Sequence, residues 1–296
     1  MRRIVATRLP PEASDTPLAV YLSRRFTYHT EADWEALIAA GRVVVTGDLL
    51  EYFPEERPEP PVCTDVRLLH EDADYLGLDK PANLPCHPAG AYFNHTLWAC
   101  LKEGRLNGIP PMADVRFVNR LDRETSGIVL LAKSARAASR AARSLKTASS
   151  CKRYHVLVEG NFPSEYYASG FLYRDPNSRV NKKMAFSRNA AEGGFPVETR
   201  FRTVRSEGGL SLVEATLGTG RTHQIRATLC SLGYPVVGDK LYGVDETLFL
   251  RFISHALTLE DWRRLRLPNQ ALHASCLEFD QYRFLSPVPE EWPLRP

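Results

Sequence analysis

The stretch FVNRLDRETSGIVLLAK, residues 117–133, changes character at its midpoint. Up to Thr125 it is polar and heavily charged, whereas Ile128, Val129, Leu130 and Leu131 form a short continuous apolar run of the kind a buried strand needs. Ser126 and Gly127 are the hinge between the two halves. A charged loop therefore feeds directly into core. Asp122 stands between Arg120 and Arg123, and cationic neighbours keep a carboxylate ionised, as a general base or a nucleophile requires. Taken alone, the stretch fits a loop aspartate in an ion pair better, because structural pairs perturb carboxylates too.

Further stretches widen the pattern. They are Leu78-Asp79-Lys80-Pro81, Lys152-Arg153-Tyr154, TGRTHQIR at residues 219–226, GYPVVGDKLYG at residues 233–243, and Leu272-His273-Ala274. With Arg120-Leu121-Asp122 and Thr125-Ser126-Gly127 they stand in the order of the RluA/RsuA superfamily of pseudouridine synthases, and the chain resembles the RluA branch. An ordered set is far more specific than any single piece.

The resemblance implies that Asp122 is the catalytic aspartate, that Tyr154 stacks on the target base, and that Arg221 forms an ion pair with Asp122. It implies that Arg120 fills the space the flipped base leaves or pairs with the displaced partner, and that no cofactor or metal is needed. Asn119 departs from the pattern, because the family usually has histidine before the arginine.

With 296 residues, 44% of them hydrophobic, the chain can build one large domain and a small one. A net charge of +3 does not by itself announce nucleic acid, so any basic surface must come from local clusters. Six cysteines lie far apart with no zinc-ligand spacing, which fits reduced thiols in a cytoplasmic protein. No stretch approaches the length of a membrane span, and the basic start of the chain lacks the apolar core of a signal peptide. The expectation is a cytoplasmic monomer that isomerises uridines in RNA, ribosomal RNA first; the alternatives are the same reaction on transfer RNA, or an RNA-binding or ribosome-assembly protein whose synthase fold no longer catalyses.

Along the chain, Thr30 predicts a helix start with Asp33 in the capping-box position, and Gly41 its end. Val43-Val44-Val45 then leads into a turn at Thr46-Gly47-Asp48. With Arg24 and Arg25 upstream, this small helical and hairpin module is similar to a degenerate alpha-L RNA-binding motif; a packed apolar extension is the alternative. Residues 55–61 are rich in proline among acidic residues and read as a linker, dividing the chain into residues 1–57 and 62–296.

Asn83 stands where the family commonly has glycine, and asparagine tolerates the positive φ such a turn needs. Ser134 predicts the cap of a helix reaching Lys146, with Arg136, Arg140, Arg143 and Lys146 along one basic face. Lys152 opens a strand that carries Tyr154, and Arg179, Lys182, Lys183 and Arg188 lie in a basic segment that reads as a mobile phosphate-contacting loop. Arg123 and Lys152 complete the expected RNA-binding set. A helix is predicted over residues 222–232, and Leu257, Leu259, Trp262, Leu265 and Leu267 are expected in the core. The predicted fold class is α+β: a mixed, largely antiparallel sheet with flanking helices, its cleft lined by the Asp122 loop and the Arg221 turn.

Overall fold

The computed structural model describes residues 4–55, 58–190 and 192–296. The basic start of the chain and two linker positions, Glu56 and Arg57, lie outside the described residues. The chain divides into two compact units, one of residues 1–60 with 90–94 and one of residues 61–89 with 95–296. Among the described residues no helix is long and apolar enough to cross a membrane.

The smaller unit contains β1 (Val5–Arg8), α1 (Leu18–Arg25), α2 (Glu31–Ala39), β2 (Val43–Thr46) and β3 (Leu49–Tyr52). Its three strands form one antiparallel sheet in the order β1-β3-β2. The capping box at the start of α2 is complete: the Thr30 side chain accepts from the Asp33 amide and the Asp33 carboxylate accepts from the Thr30 amide. Such a cap contributes about 1 kcal/mol. It points Trp34 into a core with Leu22, Leu50 and Tyr52, where the Trp34 and Tyr52 rings meet edge to face at 5.0 Å. Residues 90–94 join this unit because the Glu59 carboxylate accepts the amides of Phe93 and Asn94.

The larger unit begins with β4 (Arg67–Glu71), β5 (Tyr75–Lys80), α3 (Leu97–Glu103), β6 (Arg116–Phe117), β7 (Ser126–Ala132) and α4 (Ala135–Ser144). It continues through β8 (Cys151–Glu159), β9 (Glu165–Arg174), β10 (Met184–Ser187), β11 (Phe195–Glu207), β12 (Leu210–Leu217) and α5 (Gln224–Ser231). Helices α6 (Thr247–Ile253) and α7 (Leu259–Leu265) precede β13 (Leu272–Phe279) and β14 (Tyr282–Leu285). These strands make an 11-stranded sheet in the order β10-β9-β11-β12-β8-β13-β7-β5-β4, with β14 on β13 and β6 on β7. The α+β class expected from sequence is the one observed.

Strand β7 is buried throughout because both its faces are covered. Val129 and Leu131 pack with Leu76, Leu78 and the α3 residues Leu97 and Leu101, while Ile128 and Leu130 pack with Tyr75 and the α4 residues Ala137 and Ala141. That double cover is why the run is continuously apolar and does not alternate. Strand β7 pairs in parallel with β13 at Ser126 and Gly127, the junction that joins the two halves of the sheet. Gly127 has φ +108°, and a Cβ there would lie 2.3 Å from the Ala274 carbonyl oxygen.

Four expectations change in the fold. The segment expected to be a mobile basic loop is a hairpin: β10 pairs with β9, Arg174 donates to the Asn181 carbonyl, and Lys183 is tied to Glu246 at 2.8 Å. Helix α4 is capped by Ser134 as expected but stops at Ser144, with Leu145 turned into the core as its cap residue. Helix α5 starts at Gln224, two residues later than expected, because His223 takes left-handed backbone angles and breaks the helical path. Leu259 and Trp262, both expected in the core, are exposed at 80% and 38%: Leu259 opens α7 after the capping Thr258, Trp262 lies one turn further along the same outer face, and Leu265 at the far end is buried. Asn83 does adopt φ +59°, as the turn requires.

Gly127→Ala is expected to lower unfolding stability by at least about 3 kcal/mol, because the methyl group meets backbone and the φ is unfavourable. Urea denaturation followed by circular dichroism would measure it; a loss under 1 kcal/mol, about the cost of an ordinary surface change, would mean the β7–β13 junction yields.

Candidate active site

The Asp122 loop is held from below by backbone contacts. Lys80, at the end of β5, is fully buried and its Nζ donates to the carbonyls of Pro81 at 2.8 Å and Arg123 at 3.3 Å. Burial lowers the Lys80 pKa to about 8. From the other end, Asn119 donates to the Ile128 carbonyl at 3.0 Å and accepts the Leu130 amide at 2.8 Å. The residue that departs from the family pattern thus stitches the loop to β7.

The Asp122 carboxylate is bound by Arg226, whose Nη1 donates to Oδ2 at 2.6 Å. Arg226 is itself clamped by Asp239, through Nε to Oδ2 at 2.6 Å and Nη2 to Oδ1 at 2.9 Å. Asp239 is completely buried and also accepts the amides of Leu241 and Tyr242, while the Arg226 guanidinium lies 4.8 Å above the Tyr242 ring. Burial alone would raise Asp122, but the Arg226 charge outweighs it and holds the carboxyl below its ordinary value. The Asp122 side chain keeps 32% of its surface open. The site therefore offers an ionised carboxylate to a ligand.

A second ion pair runs alongside. Lys240 donates to Glu124 at 2.7 Å and also to the Pro268 carbonyl, so consecutive residues 239 and 240 fasten the loop through Arg226 and through Glu124. Gln270 donates to the Thr125 hydroxyl and hydrogen-bonds Asp122. Tyr154 projects from β8 toward two core clusters, and burial together with the Asp122 charge pushes its hydroxyl up to about 12. It stays protonated.

The expected pairing of Arg221 with Asp122 is not found. The turn before α5 is pinned by Gln224, whose Oε1 accepts from the Thr219 hydroxyl and the Arg221 amide and whose Nε2 donates to the Glu198 carbonyl and the Thr199 hydroxyl. That pinning leaves the Arg221 side chain exposed, 5.5 Å over the Phe195 ring. Arg226, five residues on, is the arginine the helix carries inward. The sequence carried no local signal for this choice, because TGRTHQIR offers two arginines; only the fold buries every residue from Gln224 to Leu229, and a charge buried there needs a carboxylate partner. Asp239, Lys240, Glu124 and Lys80 were likewise missed as site residues.

The expected RNA-binding residues separate into two groups. Arg120, Arg136 and Arg143 are exposed, Lys152 is half-buried beside Tyr154, and Lys182 is exposed over Phe249 and close enough to feel the charges of Asp122 and Arg226. The others are engaged within the protein. Arg140 pairs with Asp280 at 3.1 Å and reaches Asp74, Lys183 pairs with Glu246, and Arg123 pairs with Glu124 and stacks on Phe252. Acidic residues distant in sequence thus neutralise Arg140 on the helix face and Lys183 on the hairpin.

The family model described as "RNA pseudouridylate synthase" matches residues 74–231, more than half of the chain. "Ribosomal large subunit pseudouridine synthase D" of Nitrosomonas europaea is 34% identical over 216 residues, covering 72% of this chain and 57% of the relative. The mitochondrial "tRNA pseudouridine(32) synthase" of Saccharomyces cerevisiae is 31% identical over 208 residues, covering 69% of this chain and 43% of its own. This chain thus spans about half the length of these curated relatives. In fold it is similar to the solved human RNA pseudouridylate synthase domain containing 1, with a TM-score of 0.58 and 24% identity over 79% of this chain and 86% of that one.

Two measurements test the clamp. Arg226→Met should raise the Asp122 carboxyl pKa, read by carbon-detected NMR titration, and Arg221→Met should leave it unchanged; the reverse result would restore Arg221 as the partner. Asp122 and Asp239 both sit below their unfolded value of about 3.9, so the stability they contribute is complete above that pH and lost as pH falls through their lower folded values. Asp239→Asn, which leaves one side of a buried arginine unpaired, should cost about 3–5 kcal/mol at neutral pH and flatten the acid limb of the stability profile.

Proposed function

The chain belongs to the RNA pseudouridylate synthase family, and on that premise we propose that it isomerises uridine to pseudouridine within RNA. The observation that carries this reading is the ionised, accessible Asp122 carboxylate gripped by Arg226 in the same site as Tyr154. The reaction breaks the bond from ribose C1′ to uracil N1, turns the base, and joins C1′ to C5; the proton from C5 leaves and N1 gains one. The exchange is redox-neutral and needs no nucleotide to drive it. A charged carboxylate serves either by attacking C1′ or by removing a sugar proton, and Arg226 keeps it charged for both.

The target uridine has to leave its stack to reach Asp122, at a cost of a few kcal/mol. In this reading Tyr154 supplies a face for the flipped base and its neutral hydroxyl. Arg120 occupies the vacated space, and Arg136, Arg143, Lys152 and Lys182 contact phosphates. The enzyme acts as a cytoplasmic monomer, a location in keeping with six free cysteines.

Ribosomal RNA is the proposed substrate, supported by the likeness to the ribosomal large subunit pseudouridine synthase D of Nitrosomonas europaea. The small unit serves as an RNA-docking module of the alpha-L kind, its exposed Arg24 and Arg25 closing α1.

Asp122→Asn should abolish pseudouridine formation, read by carbodiimide-dependent reverse-transcription stops, while RNA binding remains. Arg226→Met should move the acid limb of the pH–rate profile to higher pH, depressing turnover most at low pH, and Arg221→Met should not. Converting Arg24 and Arg25 to glutamate should slow modification of ribosomal RNA and spare an isolated stem-loop. Unaltered ribosomal stops in a deletion strain, with stops lost from transfer RNA, would transfer the assignment to transfer RNA.

A further inference from the structure

A cavity of about 520 Å³ lies away from Asp122, on the other side of the sheet. Along β8, Tyr154, Val156 and Val158 face one core cluster, so Arg153, His155 and Leu157 face the opposite way. There Leu157 packs with Leu212, Trp292 and Leu294, which draws the segment after β14 across that face. The cavity is bounded by this segment and by strands β8 and β13. Arg153, His155, Ser286 and Arg295 supply its polar wall, Leu285 and Val288 its apolar one.

The wall is cationic and under-satisfied. Glu214 is 3.5 Å from Arg153 Nε, in ion-pair range but without hydrogen-bond geometry, and it is shared with Arg202 at 3.2 Å. Arg295 pairs with no carboxylate among the described residues. Arg153 Nε, His155 Nδ1 and Ser286 Oγ are all buried without a hydrogen-bond partner. Buried polar atoms are normally satisfied, and three unsatisfied ones around one cavity mark a place shaped for a polar guest.

We propose that this cavity binds a small phosphorylated organic molecule of nucleotide size. Guanidinium groups match phosphate oxygens in pairs, hydroxyl and imidazole groups complete such a shell, and the apolar wall suits a sugar or base. The volume is that of a small-molecule site and holds a mononucleotide, not a polymer strand. The opposite face carries Tyr154, so this site stands apart from the RNA path and does not rest on the reading above.

Isothermal titration calorimetry of the full chain with adenosine 5′-monophosphate tests it. Saturable one-to-one binding is expected, weakened roughly tenfold by Arg295→Ala and again by Ser286→Ala, and unchanged by Asp122→Asn. Arg295 is exposed, so its removal leaves the fold intact. Absence of saturation at millimolar nucleotide would overturn the proposal. So would an equal loss in Asp122→Asn, which would put the nucleotide in the catalytic cleft, or tight binding of an oligoadenylate where the mononucleotide fails, which would give the surface to RNA.

Discussion

Arg226 stands between two carboxylates, and the larger unit's chemistry depends on that arrangement. A guanidinium this deeply buried is expensive to desolvate, and one carboxylate leaves part of its fork unused. Asp239 takes Nε and Nη2 and leaves Nη1 for Asp122. The buried aspartate thus fixes where the arginine points, and the arginine fixes where the exposed aspartate points. Asp239 is held in turn by the amides of Leu241 and Tyr242, so the chain of restraint ends in backbone, which has little freedom to relax.

The same loop is secured at several points by unlike means. Lys80 holds its carbonyl side, Lys240 holds Glu124, and Asn119 ties its beginning to β7. An ionised carboxylate in a partly buried site pulls its surroundings toward solvent or toward protonation; a loop fastened by lysines, an arginine and strand amides resists both. The close approach of Gly127 to Ala274 sets the distance between this loop and β13, which carries His273 and Ala274 next to β8 and Tyr154. Packing and catalysis-ready geometry meet at that glycine.

Charge on the surface follows a different logic. Arg140 and Lys183 look like free cations in their local sequence, yet Asp280 and Glu246 reach them from elements more than sixty residues away. What remains open to a polyanion is a smaller set around the site and along the outer edge of α4. The exposed cations are therefore fewer than the local sequence suggests, and some of them lie close to Asp122.

Much was legible in sequence because it depends on neighbours along the chain. The capping box at Thr30, the cap at Ser134, the positive φ at Asn83, the doubly covered strand β7 and the placing of Asp122 at the mouth of a charged loop all follow from local backbone and side-chain chemistry. The ordered motifs were enough to indicate the family and the α+β sheet. Tertiary structure alone decided which arginine meets Asp122, because TGRTHQIR offers two and only the turn pinned by Gln224 directs Arg221 outward and Arg226 inward. It alone decided that Arg140 and Lys183 are neutralised, and that residues 174–188 form a hairpin in place of a loose loop. The physical reason is common to all three: the partner of a charge or a strand edge is chosen by proximity in space, and no local pattern encodes which distant carboxylate or strand will arrive there.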